Sequence, residues 1–195
     1  FNERVKQGNA DLLFIGDSIT QGWEGAGKPV WDKYYGARNA VNLGIGGDRT
    51  QHVLWRLANG NLKGIKPKAA VIMIGTNNLS NSPEADIAAG VGNIVKLIRK
   101  KLPKTKILLL AIFPREEKPG ELRAKSIRIN EQIAKLDDGK HVFFLDIGAK
   151  FTQPDGSLTK EIMPDFLHLS EQGYQIWAQA IESKVSELMG DKAVQ

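Results

Sequence analysis

The sequence predicts an α/β protein, a three-layer α/β/α sandwich built on a five-stranded parallel sheet. Five short apolar runs alternate with helical segments along the chain, and such alternation favours parallel strands joined by right-handed crossovers. The runs are apolar at nearly every position, as expected for strands that are covered on both faces. With 195 residues, of which 42% are hydrophobic, the chain has the size of one compact domain, predicted over 1–195.

Each predicted strand is bounded by glycine, proline or polar residues. The five strands are predicted at 11–15, 40–43, 69–74, 106–112 and 141–145. Ser82 is the predicted N-cap of a helix over 84–102, with Pro83 in its first turn. Two further helices are predicted over 120–136 and 171–188, each with one apolar face.

A serine follows the first predicted strand, where open α/β sheets bind their ligands. The chain reads Phe-Ile-Gly-Asp-Ser-Ile-Thr-Gln-Gly over 14–22, so an apolar run ends abruptly in a small turn that presents Ser18. Asp17 is expected to hydrogen-bond this turn. Alone, an Asp-Ser pair after a strand is more often an ordinary helix N-cap, so a functional interpretation needs support from elsewhere in the chain.

That support comes from a histidine near the other end of the chain. Asp165 precedes His168 by three residues, a spacing at which a loop can bring the carboxylate to Nδ1 and leave Nε2 free. A serine nucleophile needs such a base at neutral pH. Of the other two histidines, His52 falls at helical spacing and is predicted to be partly buried, and His141 is predicted at the surface or a sheet edge.

Two further strand ends offer hydrogen-bond donors. The second predicted strand opens into glycines up to Gly47, where backbone N–H groups can approach a ligand without a Cβ in the way. The third ends in Asn77 and Asn78. Each pattern alone is typical of a turn, but acyl transfer needs donors where negative charge develops, and an asparagine amide is a common one. All these segments are predicted to meet at one edge of the sheet.

Taken together, the four segments resemble the SGNH (GDSL) hydrolases. The letters of that name occur in order as Ser18, Gly47, Asn77 and His168. The resemblance implies a flavodoxin-like fold and a serine esterase that works through an acyl-enzyme. It also implies a triad of Ser18, His168 and Asp165, and an oxyanion hole made by the backbone N–H groups of Ser18 and Gly47 with the Asn77 amide. It implies no cofactor and no metal.

Within that family, residues 42–57 and 114–119 most resemble the branch of intracellular platelet-activating-factor acetylhydrolase catalytic subunits and their bacterial relatives. Two positions depart from the general pattern. Ile19 replaces the leucine of the family name, and Asn78 replaces the aspartate usual after the asparagine. The acetylhydrolase branch also has asparagine there, and the Asn78 side chain is expected to point away from the ester.

The substrate is predicted to be a small acyl ester, because no long insertion is present to build a lid or an acyl tunnel. Four aromatic residues follow the nucleophile, and they either stack on a sugar at a pocket rim or pack in the core: Trp23, Trp31, Tyr34 and Tyr35. The leading hypothesis is a carbohydrate O-acetylesterase. The alternatives are a lysophospholipase, an acyl thioesterase, a platelet-activating-factor-type acetylhydrolase, and a catalytically silent binding module of the same fold.

Composition excludes several other classes. The absence of cysteine rules out disulfides, thiol catalysis and cysteine-based zinc sites. Much of the net charge of +5 lies in a basic cluster that is interpreted as a solvated helix end, since it lacks the interleaved aromatics of a nucleic-acid face. That cluster comprises Lys96, Arg99, Lys100, Lys101, Lys104 and Lys106. The spacing over 22–28 resembles a phosphate-binding loop, but Pro29 follows where serine or threonine is required.

Location and assembly are less constrained. The longest apolar run, 107–113, is too short to cross a bilayer, and no signal peptide is visible. We therefore expect a protein without a transmembrane segment, of bacterial type, either cytoplasmic or exported with its leader removed. Its oligomeric state stays open, with a homodimer as one alternative.

Overall fold

The computed structural model describes residues 2–195 and contains a five-stranded parallel sheet. Its strands run in the order β2-β1-β3-β4-β5, and every neighbouring pair is parallel. The strands are β1 (Leu12–Gly16), β2 (Ala40–Gly44), β3 (Ala69–Met73), β4 (Lys106–Leu110) and β5 (Val142–Leu145). The predicted five-stranded parallel α/β fold is confirmed, and each predicted strand lies within about two residues of an observed one.

Helices cover both faces of this sheet. They are α1 (Asn2–Lys6), α2 (Ser18–Gln21), α3 (Lys28–Tyr34), α4 (Thr50–Arg56), α5 (Glu84–Lys101), α6 (Glu121–Ile133) and α7 (Glu171–Met189). Alternate residues of β1 point into the two layers: Leu13 and Ile15 join a core with α4, α5 and α6, whereas Leu12 and Phe14 join one with α3 and α7. All residues of β1 are therefore buried, which explains its unbroken apolar run.

The start of α5 differs from the prediction. The helix begins at Glu84 with Pro83 as its N-cap residue, and no side chain caps it. The Ser82 hydroxyl instead lies 3.4 Å from Asn78 Nδ2, as the acceptor of a hydrogen bond. The predicted N-cap role of Ser82 is wrong, because a neighbouring loop engages its side chain.

The four aromatic residues that follow Ser18 pack in or against the core. Trp23 is only 1% exposed, Tyr34 and Tyr35 are buried, and Trp31 is half-buried against the same core with its ring centroid 5.1 Å from that of Phe14. The interpretation as a sugar-stacking rim is therefore wrong for Trp23, Tyr34 and Tyr35, which are core residues. The aromatic side chain that does face solvent is Trp55 on α4, which is 68% exposed.

The segment that mimics a phosphate-binding loop is also part of the fold. Gly22–Glu24 forms a short 3-10 helix, and Lys28 pairs with Asp32 across an exposed turn of α3 at 2.6 Å. Between residues 2 and 195, the structure has no helix with the length and apolarity needed to span a membrane.

Candidate active site

Residues 17–21, here named the nucleophile turn, follow β1 directly and consist of Asp17 and the short helix α2. Ser18 is the first residue of α2, and the Asp17 carboxylate caps the helix by accepting a hydrogen bond from the backbone N–H of Ile19 at 3.0 Å. The expected hydrogen bond of Asp17 to this turn is confirmed. Asp17 is fully buried, and its second carboxyl oxygen, Oδ2, has no hydrogen-bond partner among the described residues. Burial raises the pKa of Asp17 to about 7, although the Ile19 N–H and the charge of His168 act in the opposite direction.

Two glycines let this turn lie directly against the strand ends. A Cβ at Gly16 would lie 2.4 Å from the carbonyl oxygen of Met73, and a Cβ at Gly44 would lie 2.3 Å from the backbone nitrogen of Gln21. Any larger residue would push α2 away from the sheet. Ser18 is thus held at the carboxyl edge of the sheet by close backbone packing.

His168 and Asp165 complete a chain of hydrogen bonds that begins at Ser18. His168 Nε2 lies 2.9 Å from Ser18 Oγ, and His168 Nδ1 lies 2.6 Å from Asp165 Oδ2. The other carboxylate oxygen of Asp165 accepts hydrogen bonds from the backbone N–H groups of Leu167 and His168 at 3.1 and 2.7 Å. Burial alone would raise the pKa of Asp165, but its hydrogen bonds with His168 and Leu167 outweigh burial and lower that pKa.

The base loop, residues 165–168, lies at the surface. The side chains of His168 and Asp165 are 45% and 56% exposed. Phe166 adopts a left-handed backbone conformation with φ of 58°, and its carbonyl oxygen accepts a hydrogen bond at 3.0 Å from Glu116 N–H. Glu116 is itself left-handed, with φ of 71°. Such non-glycine residues need support from the surrounding structure.

Arg123 supplies that support from α6. Its buried guanidinium donates to the carbonyl oxygen of Arg115 at 2.9 Å and also to those of Glu116 and Gly156. The carbonyl oxygen of Glu117 accepts a hydrogen bond from Leu158 N–H at 2.8 Å. The loop between β4 and α6 is therefore clamped on one side by Arg123 and holds the base loop on the other.

The glycine loop lies against the nucleophile. A Cβ at Gly46 would lie 3.9 Å from Ser18 Cβ, and Gly46 N–H donates to Gln21 Oε1 at 2.8 Å. Gly47 has φ of 77°, a conformation that favours glycine. Within residues 2–195, neither Gly47 N–H nor Ser18 N–H donates a hydrogen bond. Both donors are therefore free for a ligand.

Asn77 is connected to the same loop. Its Nδ2 donates to the carbonyl oxygen of Asp48 at 2.9 Å, which occupies one of two amide hydrogens. The adjacent Asn78 is buried, and its Oδ1 accepts a hydrogen bond at 3.0 Å from Thr50 N–H at the start of α4. Asn78 thus supports a helix terminus, whereas Asn77 keeps one N–H for the site.

The structure also places residues that the sequence interpretation did not include. The Asp48 carboxylate, next to Gly47, is buried and accepts a hydrogen bond at 2.8 Å from Arg56 Nε, and Arg56 also donates to the carbonyl oxygen of Gly16. Gln21, which accepts a hydrogen bond from Gly46 N–H, and Arg123, which supports the loop behind His168, are two further residues that the sequence interpretation did not include. Arg56 could have been found from the sequence. It lies at helical spacing among apolar residues, and a charged residue in such a position indicates a buried partner of opposite charge.

The remaining histidines lie outside this constellation. His52 is exposed, with 55% of its side chain accessible, and its Nδ1 accepts a hydrogen bond at 3.2 Å from Arg49 N–H at the start of α4. The prediction that His52 is partly buried is wrong, because it caps the helix from outside. His141 precedes β5, an edge strand, as predicted. Among residues 2–195, no group of three or more potential metal-binding side chains comes together.

Comparisons with known proteins place the chain in a family. The model of the GDSL-like Lipase/Acylhydrolase family matches residues 14–176. Platelet-activating factor acetylhydrolase IB subunit alpha2 of Rattus norvegicus is 40% identical over 185 residues, which cover 94% of this chain and 80% of that protein.

Solved structures resemble the fold at lower identity. A GDSL-like lipase of Bacteroides thetaiotaomicron has a TM-score of 0.76 at 19% identity, over 90% of this chain and 87% of the other. Axe2, an acetylxylan esterase of Geobacillus stearothermophilus, has a TM-score of 0.72 at 21% identity, over 94% and 95%. At these identities the likeness concerns the fold alone.

Proposed function

Because the chain belongs to the GDSL-like lipase/acylhydrolase family, we propose that it is a serine esterase that hydrolyses short-chain acyl esters, with acetyl as the preferred acyl group. The observation that carries this proposal is the line of hydrogen bonds from Ser18 Oγ through His168 to Asp165, at 2.9 and 2.6 Å. Such a line converts a weakly nucleophilic hydroxyl into a competent one. A silent binding module would have no need to retain it.

The reaction would proceed in two halves. Ser18 Oγ attacks the ester carbonyl carbon while His168 Nε2 takes the hydroxyl proton, and Asp165 holds the imidazole in the required tautomer. The negative charge on the carbonyl oxygen is stabilised by the N–H groups of Ser18 and Gly47 and by the remaining Asn77 amide hydrogen. His168 then protonates the leaving alcohol. In the second half, water attacks the acyl-enzyme with the same base, which releases the carboxylic acid and restores Ser18.

The preference for short acyl groups rests on how little covers the site. The longest connection at this edge of the sheet, residues 146–170, buries Phe151, Leu158 and Met163 in the core and leaves the base loop exposed. Its apolar side chains thus serve the core of the fold, and none of these three is left to line an acyl site. A long acyl chain would therefore gain little apolar contact, since affinity for such chains scales with buried apolar area.

Two alcohol groups are candidates, and the observations now favour one. The carbohydrate hypothesis depended on rim aromatics, but Trp23, Tyr34 and Tyr35 lie in the core and Trp31 packs half-buried against it. The relatives at 40% identity are named platelet-activating factor acetylhydrolase, so an acetyl ester of the platelet-activating-factor type is the better candidate. A carbohydrate acetyl ester is the second, with the fold of an acetylxylan esterase as its only support.

Hydrolysis of a p-nitrophenyl ester series tests the proposal. We expect turnover to be highest for acetyl or propionyl and to fall steeply by octanoyl. A maximum at eight carbons or longer would favour a lipase or an acyl thioesterase, and no hydrolysis of any activated ester would favour the binding module. The alcohol part of the substrate is then identified by comparing the hydrolysis rates of platelet-activating factor and acetylated xylan under identical conditions, with Ser18→Ala as the blank.

A further inference from the structure

A large cavity lies at the edge of the sheet opposite to Ser18. Its volume is about 720 Å³, and it is formed by residues 62–68, by residues 101–106 and by Leu188 of α7. These segments lead into the amino ends of β3 and β4, whereas Ser18 and Asn77 follow the carboxyl ends of β1 and β3. The cavity, here named the basic cavity, is therefore separate from the proposed esterase site.

The floor of the basic cavity is apolar. Leu62, Ile65 and Leu102 line it and belong to the core between the sheet and α4–α6. Leu188 lines it from the other side and packs against the core under α3 and α7. An occupant would thus contact both layers at the amino edge of the sheet. The volume lies within the range of small-molecule sites, about 300–1,000 Å³.

The rim carries only positive charge. Five lysines line the cavity, and none of its lining residues is acidic: Lys66, Lys68, Lys101, Lys104 and Lys106. Lys101 Nζ is held by the carbonyl oxygens of Leu57 and Ala58 at 2.9 and 2.7 Å, and Lys106 Nζ donates to Lys140 O.

Three of these lysines differ from the others. The side-chain ammonium groups of Lys66, Lys68 and Lys104 have no hydrogen-bond or ion-pair partner among residues 2–195. Ammonium groups gathered around an apolar surface repel one another, and the low dielectric constant of that surface strengthens their field. A bound anion would relieve the repulsion.

We propose that the basic cavity binds a monomeric fatty acid of medium chain length. The carboxylate would lie among Lys66, Lys68 and Lys104, and the alkyl chain would cover Leu62, Leu102 and Leu188. Charge complementarity selects the anionic head group, and the apolar floor selects the chain. Acetate, which has no chain, would bind poorly, as would a neutral or cationic amphiphile of the same length. This site does not depend on the proposed esterase function.

Isothermal titration with dodecanoate below its micelle-forming concentration tests the proposal. We expect one molecule per chain, no binding of dodecyltrimethylammonium, and affinity that increases from acetate to dodecanoate by at most about fourfold per methylene that reaches the floor. Enzyme blocked at Ser18 by a fluorophosphonate should bind dodecanoate equally well. Equal affinity for the cationic amphiphile or for acetate would overturn the proposal, and so would loss of binding in the blocked enzyme.

A matched pair of variants locates the site. Lys66→Ser/Lys104→Ser should weaken dodecanoate binding at least tenfold and leave Tm and p-nitrophenyl acetate turnover unchanged. Lys96→Ser/Lys150→Ser removes the same net charge at exposed lysines outside the cavity and should change Kd by less than twofold. Equal losses in both double variants would mean non-specific attraction. Binding to anionic vesicles alone, with none to the monomer, would indicate a membrane-docking face and contradict the proposal.

Discussion

The nucleophile turn and the base loop carry the two side chains that are proposed to react, Ser18 and His168, but the two segments are held in different ways. Asp17 and Ser18 lie in a turn whose key hydrogen bond spans two residues, from Ile19 N–H to Asp17, and the turn is pressed onto the strand ends by glycine contacts. The base loop is about half exposed and is held through Phe166 by Glu116, which is distant in sequence. The turn is thus fixed locally, and the loop depends on tertiary contacts.

This difference predicts how substitutions in each segment affect catalysis and stability. Substitutions at the nucleophile turn should remove the chemistry or alter the pH dependence of stability. Substitutions behind the base loop should leave the reacting groups intact but misalign them, since displacements near 1 Å are sufficient to slow a reaction strongly.

The largest expected effect is that of Ser18→Ala. Loss of the nucleophile should lower kcat for p-nitrophenyl acetate on the order of 10⁶-fold, with Tm nearly unchanged because α2 keeps its Asp17 cap. Ser80→Ala, at an exposed position, is the control. Retention of more than a few per cent of wild-type activity, or a fluorophosphonate adduct on another serine, would move the nucleophile elsewhere.

Asn77→Ala comes next, because the Asn77 amide donates to the glycine loop that lies against Ser18. Loss of its amide should lower kcat by roughly 10²- to 10³-fold, while KM changes only a few-fold, since the donor acts mainly on the developing oxyanion. Steady-state kinetics on p-nitrophenyl acetate gives both values. Asn78 is unsuitable as a control because it caps α4, so exposed Asn81→Ala serves instead. A rise in KM with unchanged kcat would contradict the oxyanion role.

Arg123→Met tests the support of the base loop. Removing the three donors that hold the carbonyl oxygens of Arg115, Glu116 and Gly156 should let the Glu116–Phe166 contact relax, so we expect kcat to fall about tenfold to a hundredfold with KM within threefold. Arg123→Lys should restore part of this loss because it keeps one donor. Arg128→Met on the same helix, where Arg128 is exposed and pairs with Glu84, is the matched control. If Tm falls but kcat well below Tm does not, Arg123 is purely structural.

Asp17→Asn should have the smallest effect on catalysis, but it should change how the free energy of unfolding depends on pH. Because the pKa of Asp17 is raised to about 7 in the folded protein, the neutral carboxyl favours folding. Its ionisation should therefore destabilise the wild type progressively from about pH 4 to about pH 7, and no further above that. Asparagine keeps the acceptor for Ile19 N–H, so its stability advantage should grow over this window to at most roughly 4 kcal/mol.

Urea unfolding of wild type and Asp17→Asn at several pH values measures this difference. Exposed Asp86→Asn is the control for the loss of one carboxylate at the surface. A difference between wild type and Asp17→Asn that does not change with pH would mean that folding does not raise the pKa of Asp17.

Much of this protein follows from short stretches of sequence. The parallel sheet was predictable because buried strands read as continuous apolar runs, and the ends of β1, β2 and β3 are marked by Gly16, Gly44 and Gly75. The Asp165–His168 pair was predictable because an aspartate three residues before a histidine can fold back onto it, whereas the pairing of His168 with Ser18 was implied only by the resemblance to the SGNH hydrolases. The cap formed by Asp17 is equally local, and it was expected from the same reasoning.

Other features were decided only by tertiary structure. From the sequence, the aromatic residues after Ser18 were compatible with either a pocket rim or the protein core. Their exposure depends on the layer that packs against them, here α7 with Trp177. The role of Arg123 was not visible, since its acceptors are carbonyl oxygens that any sequence has. The basic cavity arises because two loops and the end of α7 meet at the amino edge of the sheet. Sequence thus determines local hydrogen bonds and periodicity, whereas contacts between distant segments exist only once the chain has folded.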